Sequence, residues 1–135
     1  MTHADLLAKQ QQRLCDLLAR HREVRFAYLH GSAAEGLPYH DLDVALYLDP
    51  NHPDAQDPFE YETRLSVDLT LSLGFPVDVH VLNTAPLGFQ HSAVQGRLLM
   101  ARDDEQLADY LESVTLRYTE FAPLSRAYLM EVLTE

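Results

Sequence analysis

The chain of 135 residues has no tryptophan, one cysteine and only ten basic residues against twenty-one acidic ones. Each shortage excludes a class of protein. A single cysteine, Cys15, rules out an internal disulfide and a thiolate metal cluster, and its place in an amphipathic pattern marks it as a small buried apolar side chain. A net charge of −11 sets the field of the whole molecule against a polyanion, so no nucleic-acid-binding surface is expected. No apolar run approaches the roughly 20 residues that span a bilayer. The opening stretch lacks the basic and apolar regions of a secretory signal, so no membrane association and a cytoplasmic location are expected. The length suits one domain over residues 1–135, built around one core.

What is present is a regular alternation of periods. Thr2 to His21 carries Leu6, Leu7, Leu14, Leu17 and Leu18 at helical spacing and predicts a first helix. Val24 to His30 is dense in β-formers and predicts a strand. Gly31 to His40 reads as the turn to a second strand, Asp41 to Leu48. The proline-rich stretch Asp49 to Pro58 reads as a surface loop, and Phe59 to Leu73, stopped by Gly74, as a second helix. Pro76 to Leu82 alternates Val77, Val79 and Val81 with Asp78, His80 and Leu82 and predicts a third strand. A short helix to about Val94 and an edge strand Arg97 to Ala101 follow. From Asp103 an amphipathic helix is expected to kink or break at Pro123, leaving Leu124 to Leu133 as a last helix.

Chemistry concentrates in the second strand. Residues two apart on a strand share a face, so Asp41 and Asp43 project together, and Asp78 on the third strand is a candidate partner. Three oxygen ligands on two strands suit Mg2+, a hard ion commonly held by carboxylates and substrate phosphates. Two such ions can clamp the entering and leaving oxygens of a displacement at phosphorus, which points to phosphoryl or nucleotidyl transfer. Gly31 and Ser32, directly after a strand, would offer backbone N–H groups and a hydroxyl to the anionic end of the same substrate. His30 and His80 read as packed, hydrogen-bonded histidines. Arg97 and Arg102 read as exposed charge that could steer a triphosphate, and Tyr110, Tyr118 and Tyr128 as part of a core stripe.

At Gly31-Ser32, Ala34, Gly36, Asp41, Asp43 and Asp78 the chain resembles the minimal nucleotidyltransferases, a branch of the DNA polymerase β-like superfamily, and in particular their antitoxin-type members. The resemblance implies an α+β nucleotidyltransferase fold, with a small mixed sheet, flanking helices and a helical C-terminus. It also implies an ATP-dependent protein adenylyltransferase that uses Mg2+ to move AMP onto a tyrosine of a HEPN-domain ribonuclease toxin. The chain would then be the antitoxin of a type VII-like pair, possible as a hetero-oligomer with the toxin. Carried over by position, Asp41, Asp43 and Asp78 are the catalytic and metal-holding residues, and Gly31, Ser32 and Gly36 bind the nucleotide. Two departures stand out: only eight residues, Ala33 to His40, separate Ser32 from Asp41, a shorter turn than is usual in the family, and Glu35 replaces a commonly basic position. They motivate an alternative in which the same fold neutralises its partner by binding alone.

Overall fold

In the computed structural model, which describes residues 2–134 apart from the side chains of Ala122 and Ser125, the alternating stretches become the strands of one mixed sheet. The order along the chain is α1 (His3–Ala19), β1 (Val24–His30), α2 (Gly31–Ala34), β2 (Leu42–Leu48), α3 (Pro58–Leu73), β3 (Val77–Val81), α4 (Leu87–Ala93), β4 (Arg97–Ala101) and α5 (Asp104–Leu133). A 3-10 turn, Pro53–Gln56, lies in the proline-rich connection. The four strands run in the order β3-β2-β1-β4. The β1 strand pairs antiparallel with β2 and β4, whereas β2 and β3 are parallel. A parallel pair needs a crossover, and α3 supplies it.

The helix ends follow local chemistry. Thr2 and Asp5 form a reciprocal capping box at the start of α1. Asp57 caps α3, which opens on Pro58, one residue before the expected start, because proline has no N–H to leave unsatisfied there. Gly74 ends α3 in the left-handed region, with φ 74°. Asp103 caps α5 by accepting from the N–H groups of Glu105 and Gln106.

One expectation fails here. The break at Pro123 does not occur, and α5 runs without interruption from Asp104 to Leu133 with the proline inside it. Proline removes one hydrogen bond and crowds the carbonyl four residues back, which is a local cost, and the turns on both sides are rich in good helix formers such as Leu, Glu, Arg and Met. The turn after β1 also differs from a plain loop, since Gly31–Ala34 completes one helical turn.

Period-two alternation gives the sheet two faces. On one, Ala27, Leu29, Leu42, Val44, Leu46, Val77, Val79 and Val81 pack against Leu14, Leu17 and Leu18 of α1 and Tyr61, Leu65 and Leu69 of α3. A register shift between Val24 and Phe26 turns Val24 to this face as well. On the other, Phe26, Tyr28 and Ala45 join Leu82 under Ala93 and Leu107 of the last two helices.

The edge strand β3 is held by an unusual set of bonds. Val77, Val79 and Val81 donate their N–H groups to Thr70 Oγ1, Ser66 Oγ and Glu62 Oε2, at 3.0, 3.0 and 2.8 Å. Four residues of helix rise about 6 Å, close to the roughly 6.6 Å of two strand residues, so helix positions spaced by four match strand positions spaced by two. The edge is thus covered, and the orientation of Asp78 and His80 is set by α3. Arg102 plays a related part: its guanidinium donates to the carbonyls of Val24, Ala19 and His21, tying the end of α1 to the start of β1. It is exposed, as expected, and serves as a structural clamp as well.

Candidate active site

Register places the site. His30 pairs with Asp43, and Asp43 with Asp78, so these three residues form a row across β1, β2 and β3 on the face shared with Phe26 and Tyr28. The next row is Tyr28, Ala45 and His80. Ala45 is small, and the rings of His30 and His80 meet over its row with centroids 5.7 Å apart. Phe89 of α4 packs at 5.3 Å from both. An aromatic layer therefore separates the acidic row from the core beneath α4 and α5.

Asp43, Asp78 and His80 each bring one ligand atom into a group lying within 4.8 Å. His80 Nε2 stands 3.0 Å from Asp78 Oδ2, with both side chains partly exposed. Asp43 is half-buried, and its carboxyl is held above the ordinary carboxylate range by burial, then by the charges of Asp41 and Asp78, against the opposing pull of His80. Burial lowers the His30 imidazole, helped by His80 and opposed by Asp78. Its Nε2 is buried with no hydrogen-bond partner among the described residues.

The Gly-Ser turn closes on the same acid. Gly31 takes φ 74°, and a Cβ there would stand 2.5 Å from Asp43 Oδ2. Any other residue would be strained by its backbone and would displace the carboxylate. Ser32 is exposed on the first turn of α2. Asp41 precedes β2, is exposed, and lies outside the group within 4.8 Å, although its charge reaches Asp43. Gly36 is exposed at the end of the turn and lines a separate hollow of about 460 Å3 with His3, Gln11, Cys15 and Arg97. Glu35 and His40 are exposed. Cys15 is only half-buried, its thiol donating to the Leu99 carbonyl at 3.1 Å.

The structure thus joins Asp43 to Asp78 and sets Gly31 against Asp43. Sequence reasoning missed His80 as a member of the group and Phe89 as its neighbour. The first was within reach: His80 follows Asp78 by two, the spacing already used to put Asp41 and Asp43 on one face. A pair of mutually repelling carboxylates with a nearby imidazole, one acid raised above its ordinary range by burial and by its acidic neighbours, is a donor set that fits a divalent cation.

A sequence model of the polymerase β nucleotidyltransferase family matches residues 12–105, well over half of the chain, and the chain belongs to that family. No curated protein sequence matches it significantly. Among solved structures it resembles a chain of the MntA–HepT toxin–antitoxin complex, with a TM-score of 0.71 at 16% identity, covering 93% of this chain and 98% of that one. It is similar to a chain of a toxin–antitoxin structure with AMP-PNP, with a TM-score of 0.73 at 17% identity over 91% of this chain and 98% of that one. A third likeness is to the complex of a tri-AMPylated HEPN toxin with an MNT antitoxin from Shewanella oneidensis, at 0.69 and 17% over 91% and 98%. These likenesses establish the shared nucleotidyltransferase fold. Among the described residues no helix is long and apolar enough to cross a membrane.

Proposed function

We propose that this chain is an adenylyltransferase that moves AMP from ATP to a tyrosine hydroxyl of a HEPN-type ribonuclease partner and thereby acts as its antitoxin. The observation that carries the reading is the register pairing of Asp43 with Asp78 beside the Gly31 turn. The AMPylated toxin found with an MNT antitoxin of the same fold supports the choice of acceptor. Asp43 and Asp78, with Asp41 close by, would hold Mg2+, which when bound supplies charge neutralisation at the phosphates.

The chain's own residues then act as follows. Gly31 lets the backbone lie against the Asp43 carboxylate, and Ser32, exposed on the turn that follows, would meet the phosphates. The acceptor oxygen forms a bond to the α-phosphorus as the bond to pyrophosphate breaks, and the phenolic proton passes to Asp78, whose carboxylate is exposed and oriented by His80. Asp78 stays aimed because α3 holds β3 by three side-chain bonds. Most of the acceleration in such a transfer comes from positioning and charge neutralisation.

Incubating the partner with ATP labelled at the α-phosphate tests this. Label should appear on a partner tyrosine with the wild-type chain and vanish with Asp43→Ala at unchanged melting temperature. Label persisting in Asp43→Ala overturns the mechanism. A second reading, neutralisation by binding alone, draws on Asp41 standing outside the close group of ligands. Neutralisation that survives Asp41→Ala with Asp43→Ala would favour it.

A further inference from the structure

Four residues beyond Asp43, on the same face of β2, Tyr47 lines a second hollow of about 550 Å3. That step is about 13 Å along a strand. Gln90 of α4 and the first four turns of α5 complete the walls, and the volume falls within the roughly 300 to 1,000 Å3 typical of ligand sites.

The floor is aromatic, and the polar groups of Tyr110, Gln90 and Asn83 are already satisfied. Tyr47 stacks on the fully buried Phe26 at 5.0 Å and 2°, and Tyr110 tilts against both rings at 5.0 and 5.3 Å. The Tyr110 hydroxyl donates to Gln90 Oε1 at 2.9 Å, and Gln90 Nε2 donates to the Ala85 carbonyl. The Asn83 amide is occupied by both main-chain groups of Leu48.

The rim is acidic and unsatisfied. Asp103 is accounted for as the cap of α5, and negative charge at a helix start needs no ligand to explain it. Glu105 and Asp109 differ, because among the described residues neither carboxylate has a hydrogen-bond or ion-pair partner, and Asp109 lies beyond the first turn. The lining cation, Arg117, is turned to Ser113 and Gln90 instead. An aromatic floor with free carboxylates above it fits a flat cation, which would stack on tyrosine and pair with the acids at once.

We infer that this cleft is a docking pocket for an arginine side chain of a partner protein. Arginine fits better than lysine because its planar guanidinium both stacks and bonds two carboxylate oxygens, and the net charge of −11 draws a basic partner to this surface. The pocket lies at the other end of the same sheet face from the acidic row and does not depend on AMP transfer.

The test is an NMR titration of the full chain with acetyl-Gly-Arg-Gly-amide, following the ring resonances of Tyr47 and Tyr110. Saturable shifts are expected, weaker with the lysine tripeptide and absent with the glutamine one. Glu105→Gln with Asp109→Asn should weaken binding by up to about fivefold, and Tyr47→Leu by about two- to fivefold, with the fold checked from amide dispersion. Asp68→Asn, on α3 at the other face, should change nothing. Shifts that do not saturate, that ignore the acid variants, or that are equal for arginine, lysine and glutamine overturn the proposal. A tighter grip on spermidine than on the tripeptide would make the occupant a small polycation and overturn it too.

Discussion

The two faces of the sheet are built from the same strands and have opposite properties. The face toward α1 and α3 is aliphatic and closed: Leu14, Leu18, Leu29, Leu42, Val44, Leu46 and Leu48 have no accessible surface at all. The face toward α4 and α5 is aromatic and polar, with a row of acids at one end and a hollow at the other. The contrast shows how one small domain can concentrate stability on one side of a sheet and leave the other free to carry charges that weaken it. Alternation makes this possible, since successive side chains on a strand never compete for the same face.

The sharpest way to break the comparison is to exchange the effects of the two faces. Asp43→Ala should reduce AMP transfer by about 100- to 1,000-fold or more, read as label incorporated per minute, with the melting temperature held or raised. Gly31→Ala should act in the same direction, because its Cβ would meet the Asp43 carboxylate. Leu46→Ala, on the closed face, should cost about 2 to 5 kcal/mol in urea unfolding while leaving transfer per folded molecule nearly unchanged. A large activity loss in folded Leu46→Ala would mean that the faces are not separable.

Next in size is the link between the faces. Ser66→Ala removes one of the three bonds from α3 to β3 and leaves the Val79 N–H without its partner, at a cost of about 1 to 3 kcal/mol. Amide exchange at Val79 should speed up, and AMP transfer should fall as Asp78 loses its aim. Unchanged exchange would show that the ladder does not hold the edge.

The smallest effect is on pH dependence. Asp43 binds its proton more tightly in the folded chain than in the unfolded one, mainly through burial and then the charges of Asp41 and Asp78. Its contribution to stability is therefore complete below the ordinary carboxylate pKa of about 3.9 and is lost as pH rises through the raised folded value. In metal-free protein at neutral pH the ionised Asp43 is destabilising, so Asp43→Asn should melt no lower than wild type and show a flatter stability profile across that window. Glu23 has the opposite sign. Burial pushes it up, but the Tyr61 hydroxyl, its own main chain and the nearby His21 and His52 bring it below the usual range, so its contribution is lost as pH falls.

Much of this was legible in the residues. The expected bounds of β1 coincide with those found, and β2, β3 and β4 fall within a residue of expectation at each end; β1, β2 and β3 carry the β-branched and aromatic residues that favour a strand, whereas β4, which has neither, is delimited by Gly96 before it. What was not legible shares a cause. Pro123 reads as a break, and the exposed Arg102 gives no sign of its clamp, yet what each does depends on helix turns and carbonyls that lie outside its own stretch. Tyr128 was placed in a core stripe, but α5 leaves the body before reaching it and the ring is 66% exposed. His80 is packed and hydrogen-bonded as expected, against Phe89 and Asp78, and what the sequence leaves unsaid is that it joins the two acids as a third potential ligand.

By itself the order of residues determined which side chains could share a face, because the two-residue repeat of a strand is a property of the backbone. It signalled equally that the chain could turn sharply after β1, where Gly31 permits backbone angles other residues avoid, and φ there is 74°. What only the tertiary structure decided is that β3 lies parallel beside β2, with Asp78 abreast of Asp43 rather than a step away. No local preference selects a neighbouring strand or its offset. That choice came from α3, whose side chains at positions 62, 66 and 70 match the spacing of the strand they hold.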